Sequence, residues 1–362
     1  MRRTGGPARS YPRSKSRLCA QSSRSADLSC PLARGCCVVV SMFWQRWRPV
    51  GAPYNGKLCL VSTVRSTAGE LLDFTHFHLN AGVDWIVLFC DDPHDPALGS
   101  LESFAGVTVV RCDDAFWRKQ RMERPEIIEH RQMANANLAL RWTRQFGFNW
   151  LIHIDSDELL VADTDLRGIL SAESADVVRF PMKEAVAERE SYQSRFQATL
   201  FREPPSPAQL ACLTPEDHAS LLFEDEYFRG HTASKVAVRV NSAVQSVGIH
   251  GVTKPKLPES PSRKITLLHF DCIGLEDWKS KWKRRLDGSG TAAGMRPARA
   301  RQLELFKQAH GDPAAERAIY ARLHMVNEAQ RQRLLALGLL SEIRYEQGRF
   351  ARGATATAAT SS

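Results

Sequence analysis

Residues 150–158 read Trp150-Leu151-Ile152-His153-Ile154-Asp155-Ser156-Asp157-Glu158, and they decide the fold class. The first five are mostly apolar, which is typical of a short buried strand, and an acidic cluster follows them without a break. Just upstream, residues 126–146 have the apolar spacing of a long amphipathic helix. A helix that leads directly into a buried strand is a building unit of α/β sheets.

The same alternation runs through the first half of the chain. Apolar strand-like runs lie at residues 58–64, 85–90, 107–110 and 150–154, and a helical pattern lies at 70–79. Beyond residues 176–180 we expect short strands near 235–240 and 265–270, and helices from about residue 276 to the end. We therefore predict an α/β fold with a Rossmann-like, mostly parallel sheet flanked by helices and a helical C-terminal extension.

The excess of basic over acidic residues is confined to the first 48 residues. The formal net charge is +9, and residues 1–48 hold ten basic residues against one acidic residue. The remainder is neutral, which argues against an enzyme or factor that acts on nucleic acid. The basic segment could instead touch anionic lipid.

The nine cysteines include no CxxC pair. Cys59 and Cys90 lie within apolar strand-like runs, which is typical of buried free thiols in a reducing compartment. The apolar run at 36–44 is too short to cross a bilayer. These features predict a cytoplasmic protein, and peripheral contact with the inner face of the membrane through the basic segment stays open.

The acidic cluster predicts a metal site. Asp155, Asp157 and Glu158 follow a buried strand, and ligands of open α/β sheets bind at the carboxyl ends of strands. Three carboxylates so close would repel one another unless a cation neutralised them. Mn²⁺ or Mg²⁺ would do so and could stabilise a departing diphosphate. The alternatives are a solvated turn or a helix N-cap; a haloacid-dehalogenase-type phosphatase is disfavoured because its aspartate pair follows the first strand.

Several motifs, taken in order and spacing, resemble the family-2-like glycosyltransferases with a GT-A fold over roughly residues 57–285. They lie at residues 60–65, 79–88, 130–137, 150–159, 230–239, 248–250 and 267–270. The resemblance implies a nucleotide-sugar donor and Mn²⁺ or Mg²⁺. It implies that Asp155 and Asp157 bridge metal and diphosphate, that Asp91 binds the nucleoside, and that His269 completes the metal shell.

One departure from that family concerns the nucleotide. The first strand usually ends in an Asn-Glu pair, whereas this chain offers only Arg65 and a later Glu70. The predicted helix at 126–146 has one polar face that could face the nucleotide, formed by Arg131, Gln132 and Asn135. The alternative for this face, favoured for Asn135, is a water-facing stripe.

The resemblance also bears on the catalytic base of an inverting transfer. Asp225 or Glu226 lies where such a base is found, and an ordinary acidic loop is the alternative. His231 and Lys235 could contact phosphate or acceptor beside the flexible Gly230, or could lie in a solvated turn. Trp278 and Trp282, spaced i and i+4, favour core packing over an acceptor platform.

Composition, periodicity and the resemblance together predict four segments. These are a disordered basic tail at 1–52, whose translation could start at Met42, a GT-A domain at 53–275, a helical extension at 276–348 and a disordered tail at 349–362. The predicted activity is transfer of a sugar to a glycan, lipid or other hydroxyl acceptor.

Two other functions stay open. A binding or scaffold protein without activity would explain the missing Asn-Glu pair, although Asp155, Asp157 and His269 oppose it. A sugar-phosphate nucleotidyltransferase would need a Gly-rich loop with a basic residue after the first strand, and residues 66–69 match that poorly.

Overall fold

The computed structural model describes residues 57–96, 98–288, 295–346 and 349–350. The predicted tail at 1–52, the start at Met42 and nearly all of the tail at 349–362 lie outside the described residues.

The described strands and helices are as follows, in chain order. The strands are β1 (Leu58–Val64), β2 (Trp85–Cys90), β3 (Val107–Arg111), β4 (Trp150–His153), β5 (Glu158–Ala162), β6 (Val177–Arg179), β7 (Met182–Val186), β8 (Leu200–Arg202), β9 (Val236–Arg239), β10 (Ser246–Val247), β11 (Val252–Lys254), β12 (Ser260–Pro261), β13 (Ile265–His269), β14 (Leu340–Glu342), β15 (Tyr345–Glu346) and β16 (Arg349–Phe350). The helices are α1 (Ala68–Asn80), α2 (Leu98–Glu102), α3 (Asp114–Lys119), α4 (Ile128–Gln145), α5 (Leu166–Ser171), α6 (Pro207–Ala211), α7 (Pro215–Leu221), α8 (Leu275–Leu286), α9 (Pro297–Ala309), α10 (Pro313–His324) and α11 (Glu328–Ala336).

The first sheet confirms the predicted fold class. Its order is β12-β6-β9-β4-β1-β2-β3, and among these described strands only β9 runs antiparallel to its neighbours. The side chains of β1, β2 and β4 are all buried, as expected for apolar strands covered on both faces. The carboxyl ends of β1, β2, β3 and β4 therefore share one edge of the sheet.

A second sheet was not predicted from the sequence. Its order is β14-β8-β7-β13-β5-β16-β15, and it is largely antiparallel. Strand β5 begins at Glu158, immediately after the acidic turn, and its antiparallel register with β13 places Glu158 opposite His269. The turn at 155–158 is thus the point at which the chain passes from the first sheet to the second.

The end of the chain differs from the sequence prediction. Helices follow residue 275 as expected, but residues 340–342, 345–346 and 349–350 form short strands that join the second sheet. The prediction of helix was wrong at 340–342 and 345–346, and the prediction of a disordered tail was wrong at 349–350, because these three pieces are too short to show a period in the sequence.

The helices after residue 275 pack on the same core as the sheets. Trp278 and Trp282 are fully buried with Phe306 and Tyr320, which confirms core packing and excludes an acceptor platform for the two tryptophans. Cys59 and Cys90 are buried free thiols, as predicted. Among the described residues, none of the helices has the length and apolar character needed to cross a membrane.

Candidate active site

Two hydrogen bonds between Asp155 and Glu158 hold the acidic turn at 155–158. The amide of Glu158 donates to the carbonyl of Asp155 at 3.2 Å, and the amide of Asp155 donates to Oε2 of Glu158 at 2.8 Å. Glu158 is therefore folded back under the turn with no exposed surface. A solvated turn, the alternative considered for the whole cluster, is wrong for this residue.

Asp155 is held by one amide and one ammonium group. Its Oδ1 accepts from Nε2 of Gln132 at 2.6 Å, and its Oδ2 accepts from Nζ of Lys235 at 2.7 Å. Burial by itself would raise the pKa of Asp155, but the Lys235 ammonium holds that pKa below its ordinary value. Lys235 is fully buried, so the solvated turn is wrong for Lys235 as well.

Glu158 and His231 face each other beside Asp155. Nε2 of His231 lies 3.7 Å from Oε1 of Glu158, and that oxygen has no hydrogen-bond partner among the described residues. Burial raises the pKa of Glu158 well above its usual range. Burial, with the charge of a neighbouring His269, lowers the pKa of His231 to about 2, so its imidazole is neutral and can act as a ligand. Asp155, Glu158 and His231 form the first ligand group.

Asp157, His269 and Asp271 form the second ligand group. Nε2 of His269 lies 3.9 Å from Oδ2 of Asp157. Asp271 follows His269 by two residues, and one ligand atom from each of the three lies within 4.8 Å of the others. The sequence prediction put Asp155, Asp157 and His269 together, whereas the structure places Asp155 in one group and the other two in the neighbouring group. The rings of His231 and His269, with centroids 4.4 Å apart and planes inclined by 30°, bring the two groups into contact.

The second ligand group is also in contact with two basic side chains. Nζ of Lys281 lies 3.2 Å from Oδ2 of Asp157 and 2.5 Å from Oδ1 of Asp271, and Arg299 donates to Oδ2 of Asp271 at 2.8 Å. Burial opposes ionisation of Asp157, yet Lys281 lowers the pKa of that carboxyl. The side chains themselves thus neutralise much of the negative charge, and repulsion among the carboxylates does not by itself require a metal.

The chemistry of both ligand groups nevertheless fits a divalent cation. Each offers carboxylate oxygens and one imidazole nitrogen within 4.8 Å of one another, a donor set suited to Mn²⁺ and, through its oxygens, to Mg²⁺. Asp271, Lys281 and Arg299 were not predicted from the sequence. The position of Asp271 two residues after His269 could have indicated it, because residues two apart in an extended chain share a face. No feature of the sequence indicates the two basic residues.

Gly230 allows the loop that carries His231 to approach the second ligand group. Its amide donates to Oε1 of the buried Glu184. A Cβ at this position would lie 2.8 Å from that oxygen and 2.8 Å from Cε1 of His269. Any side chain here would push the loop away from His269.

A first cavity, of about 480 Å³, opens at the carboxyl ends of β1, β2 and β3. Arg65, Asp91 and Arg124 are among its lining residues. Asp91 accepts two bonds from Arg131, at 2.6 and 3.0 Å, and one from Arg124 at 3.0 Å. Arg131 is buried and therefore acts on this cavity through Asp91.

The polar face of α4 does not point to water. Asn135 is buried and donates to Oγ1 of Thr63 in β1 at 3.0 Å, so the water-facing stripe was wrong for Asn135. Gln132 of the same face reaches Asp155. Helix α4 therefore contacts both sites: Arg131 binds Asp91 of the first cavity, and Gln132 binds Asp155 of the acidic turn.

A second cavity, of about 320 Å³, contains both candidate bases. Its lining includes Asp225, Glu226, Thr232, Ser234 and Arg296, together with the apolar side chains of Met182, Pro204, Pro205, Leu210, Tyr227 and Phe228. Arg296 pairs with Oε2 of Glu226 at 2.5 Å and also donates to the carbonyl of Gly230. Asp225 has a left-handed backbone, with φ of 60°. Thr232 of this cavity follows His231 of the first ligand group directly in the chain, so one loop contributes to both.

Comparison with known proteins identifies distant relatives. No family model matches the chain. Two proteins of Arabidopsis thaliana, both named glycosyltransferase-like, are similar to it. One is 26% identical over 171 residues, which cover 41% of this chain and 33% of the relative. The other is 22% identical over 256 residues, which cover 63% of this chain and 56% of the relative. The chain thus spans from a third to just over half the length of these relatives, and the similarity supports a general glycosyltransferase function.

Proposed function

We propose that this protein is a glycosyltransferase of the family-2-like, GT-A kind, which transfers a sugar from a nucleotide-diphosphate donor to a hydroxyl acceptor with inversion and with Mn²⁺ or Mg²⁺. The observation that carries the proposal is the pair of ligand groups at the carboxyl end of β4, where α/β sheets bind their ligands. The two glycosyltransferase-like relatives support the same activity.

In this proposal Asp157 and His269 would hold the metal, Asp271 would be a further ligand, and Asp155 would contact the diphosphate. A bound divalent cation supplies positive charge that stabilises the departing diphosphate. Lys235 keeps Asp155 ionised and fixed, and Gln132 orients the other carboxylate oxygen of Asp155.

The nucleoside is proposed to bind in the first cavity. A carboxylate has about four acceptor positions, and Arg131 and Arg124 use three of those of Asp91. One position therefore remains for a donor group of the nucleoside. Arg65 lines the same cavity and adds positive charge for the phosphates, while Arg131 holds Asp91 in place.

The acceptor hydroxyl is proposed to bind in the second cavity, beside Glu226 and Asp225. The hydroxyl oxygen forms a bond to the anomeric carbon of the donor sugar, and the bond from that carbon to the diphosphate oxygen breaks. The electron pair leaves with the diphosphate, and Glu226 or Asp225 takes the hydroxyl proton as general base. The acceptor is a glycan, a lipid or another hydroxyl compound.

Calorimetric titration of the full chain tests this proposal. UDP, GDP and UTP are each titrated with and without Mn²⁺ into the wild type, Asp157→Asn and the matched control Asp163→Asn, which changes an exposed aspartate. We expect metal-dependent binding of one nucleoside diphosphate that is lost in Asp157→Asn and retained in the control.

Two outcomes would contradict the proposal. Folded wild-type protein that binds no nucleotide under any condition would indicate a scaffold protein without activity. Preferential binding of UTP, with release of pyrophosphate on adding a sugar phosphate, would indicate a nucleotidyltransferase.

A further inference from the structure

The ammonium group of Lys281 contacts the carboxylate oxygens that a divalent cation would need as ligands. Lys281 projects from α8, and its Nζ lies 3.2 Å from Oδ2 of Asp157 and 2.5 Å from Oδ1 of Asp271. These two carboxylates, with His269, are the second ligand group. A cationic side chain and a metal ion therefore face one set of acceptors.

Asp271 does not depend on Lys281 alone for charge balance. Asp271 has a second cationic partner, Arg299, whose Nη1 lies 2.8 Å from its other oxygen. Removing Lys281 would thus leave Asp271 paired. Asp157 is partly exposed and lies 3.9 Å from His269, so it too keeps a polar neighbour.

The two lysines of the site differ in their freedom to move. Lys235 has no exposed side-chain surface, whereas 19% of the Lys281 side chain is exposed. A lysine has a flexible four-carbon stem and a compact charge. The Lys281 ammonium can therefore move toward solvent when another cation takes its place, and Lys235 cannot.

We propose that Lys281 is an internal competitor for the metal, so that a divalent cation binds Asp157, His269 and Asp271 only by displacing the Lys281 ammonium. The inference rests on the metal of the proposed function. The inference predicts that the second ligand group binds the metal more tightly when Lys281 carries no charge than it does in the wild-type protein.

Titration of the full chain with Mn²⁺, followed by calorimetry and by the electron paramagnetic resonance signal of free Mn²⁺, tests this inference. Lys281→Met removes the charge and keeps most of the packing, whereas Lys281→Arg keeps the charge. Lys279→Met is the matched control, because Lys279 lies on the same helix and pairs with Glu276 and Glu316 outside the ligand group. We expect Lys281→Met to lower the Kd for Mn²⁺ at least tenfold, and the other two variants to stay within threefold of the wild type.

Lys281→Gln, which keeps hydrogen-bond donors without the charge, should tighten Mn²⁺ binding as Lys281→Met does, and it replaces that variant if Lys281→Met does not fold. Unchanged or weaker Mn²⁺ binding in the uncharged variants would overturn the inference. If neither the wild type nor the uncharged variants bind Mn²⁺, the inference fails together with the metal of the proposed function. Nucleotide binding by the wild type at saturating Mn²⁺ decides the proposed function separately.

Discussion

The ammonium group of Lys235 lies 2.7 Å from Oδ2 of Asp155, and none of the lysine side chain is exposed. The two residues are 80 positions apart in the chain and belong to adjacent strand ends of the first sheet. This ion pair, in which the lysine is fully buried and the aspartate is partly exposed, fixes the acidic turn to the loop that carries His231. The pair should therefore matter for stability as well as for the site.

Replacement of Lys235 by methionine should destabilise the fold. It leaves Asp155, whose side chain is 22% exposed, without its cation. Removing one partner of a fully buried pair costs about 3–5 kcal/mol, and because Asp155 is partly exposed we expect a loss near the lower end of that range. Urea unfolding of wild type and variant measures the difference. Lys183→Met is the control, because Lys183 and Glu203 are both partly exposed, whereas Lys235 has no exposed side-chain surface. The loss for Lys183→Met should be smaller, since exposure brings a pair toward the roughly 0–1 kcal/mol that is typical of surface pairs. A loss below 1 kcal/mol for Lys235→Met would show that Asp155 does not depend on this lysine.

Replacement of Gly230 by alanine should disturb both stability and the second ligand group. The new Cβ would lie 2.8 Å from Oε1 of Glu184 and from Cε1 of His269. Overpacking of this kind costs about 1–3 kcal/mol, and displacement of His269 should also weaken Mn²⁺ binding. Thermal unfolding and Mn²⁺ titration measure the two effects.

Gly69→Ala is the matched control for Gly230→Ala. A Cβ at Gly69 meets nothing within 4 Å, and the residue lies in the first turn of α1. Alanine in a helix is favoured over glycine by about 0.5–1 kcal/mol, so this variant should be neutral or slightly more stable. Equal stability of the two alanine variants would contradict the steric role of Gly230.

The first sheet could be predicted from sequence because its strands β1, β2 and β4 are buried on both faces. Residues 58–64 and 85–90 are continuous apolar runs, and helical patterns separate such runs, which together indicate a parallel sheet. The second sheet could not be predicted in the same way. Its strand β5 starts with Glu158, which reads as part of an acidic turn, and several of its other strands have only two or three residues.

The candidate site was predictable only where its residues are close in sequence. Asp155 and Asp157 follow a strand directly, whereas Lys281 reaches Asp157 across 124 positions through the packing of α8. No periodicity in the sequence encodes that contact. The burial of Asn135 was also missed, because a polar residue on a helix is usually exposed and its partner Thr63 lies 72 positions away.

Replacement of Glu226 by glutamine should lower turnover if Glu226 is the base. Loss of a general base lowers rates by about 10²–10⁴-fold. The measurement is release of nucleoside diphosphate from the donor whose nucleotide binds in the calorimetric titration, in the presence of candidate acceptors. Asp225→Asn is the comparator in the same cavity. A large loss in Asp225→Asn with little change in Glu226→Gln would assign the base to Asp225, and small losses in both would remove both residues from that role.

Stability should fall in mild acid because of buried neutral histidines, of which His78 belongs to neither ligand group. Its ring is fully buried in α1, Nδ1 contacts the carbonyl of Phe74 at 2.9 Å, and Nε2 accepts from the amide of Leu160 at 3.3 Å. Burial lowers the pKa of His78 from 6.5 to about 4. Between these values the unfolded chain binds a proton that the native state does not bind. The free energy of unfolding therefore decreases as the pH falls, and the stability is fully present above pH 6.5.

His78→Gln isolates this contribution. The variant should be less stable than the wild type at pH 7.5, and the difference should shrink by about 2 kcal/mol at pH 5, since only the wild type then carries the protonation penalty. Urea unfolding at the two pH values measures this change. His76→Gln is the control, because His76 is exposed on the same helix and its replacement removes no buried ring. If the loss from His78→Gln is the same at pH 7.5 and pH 5, then His78 takes up its proton equally in the folded and unfolded states, and burial does not hold the ring neutral.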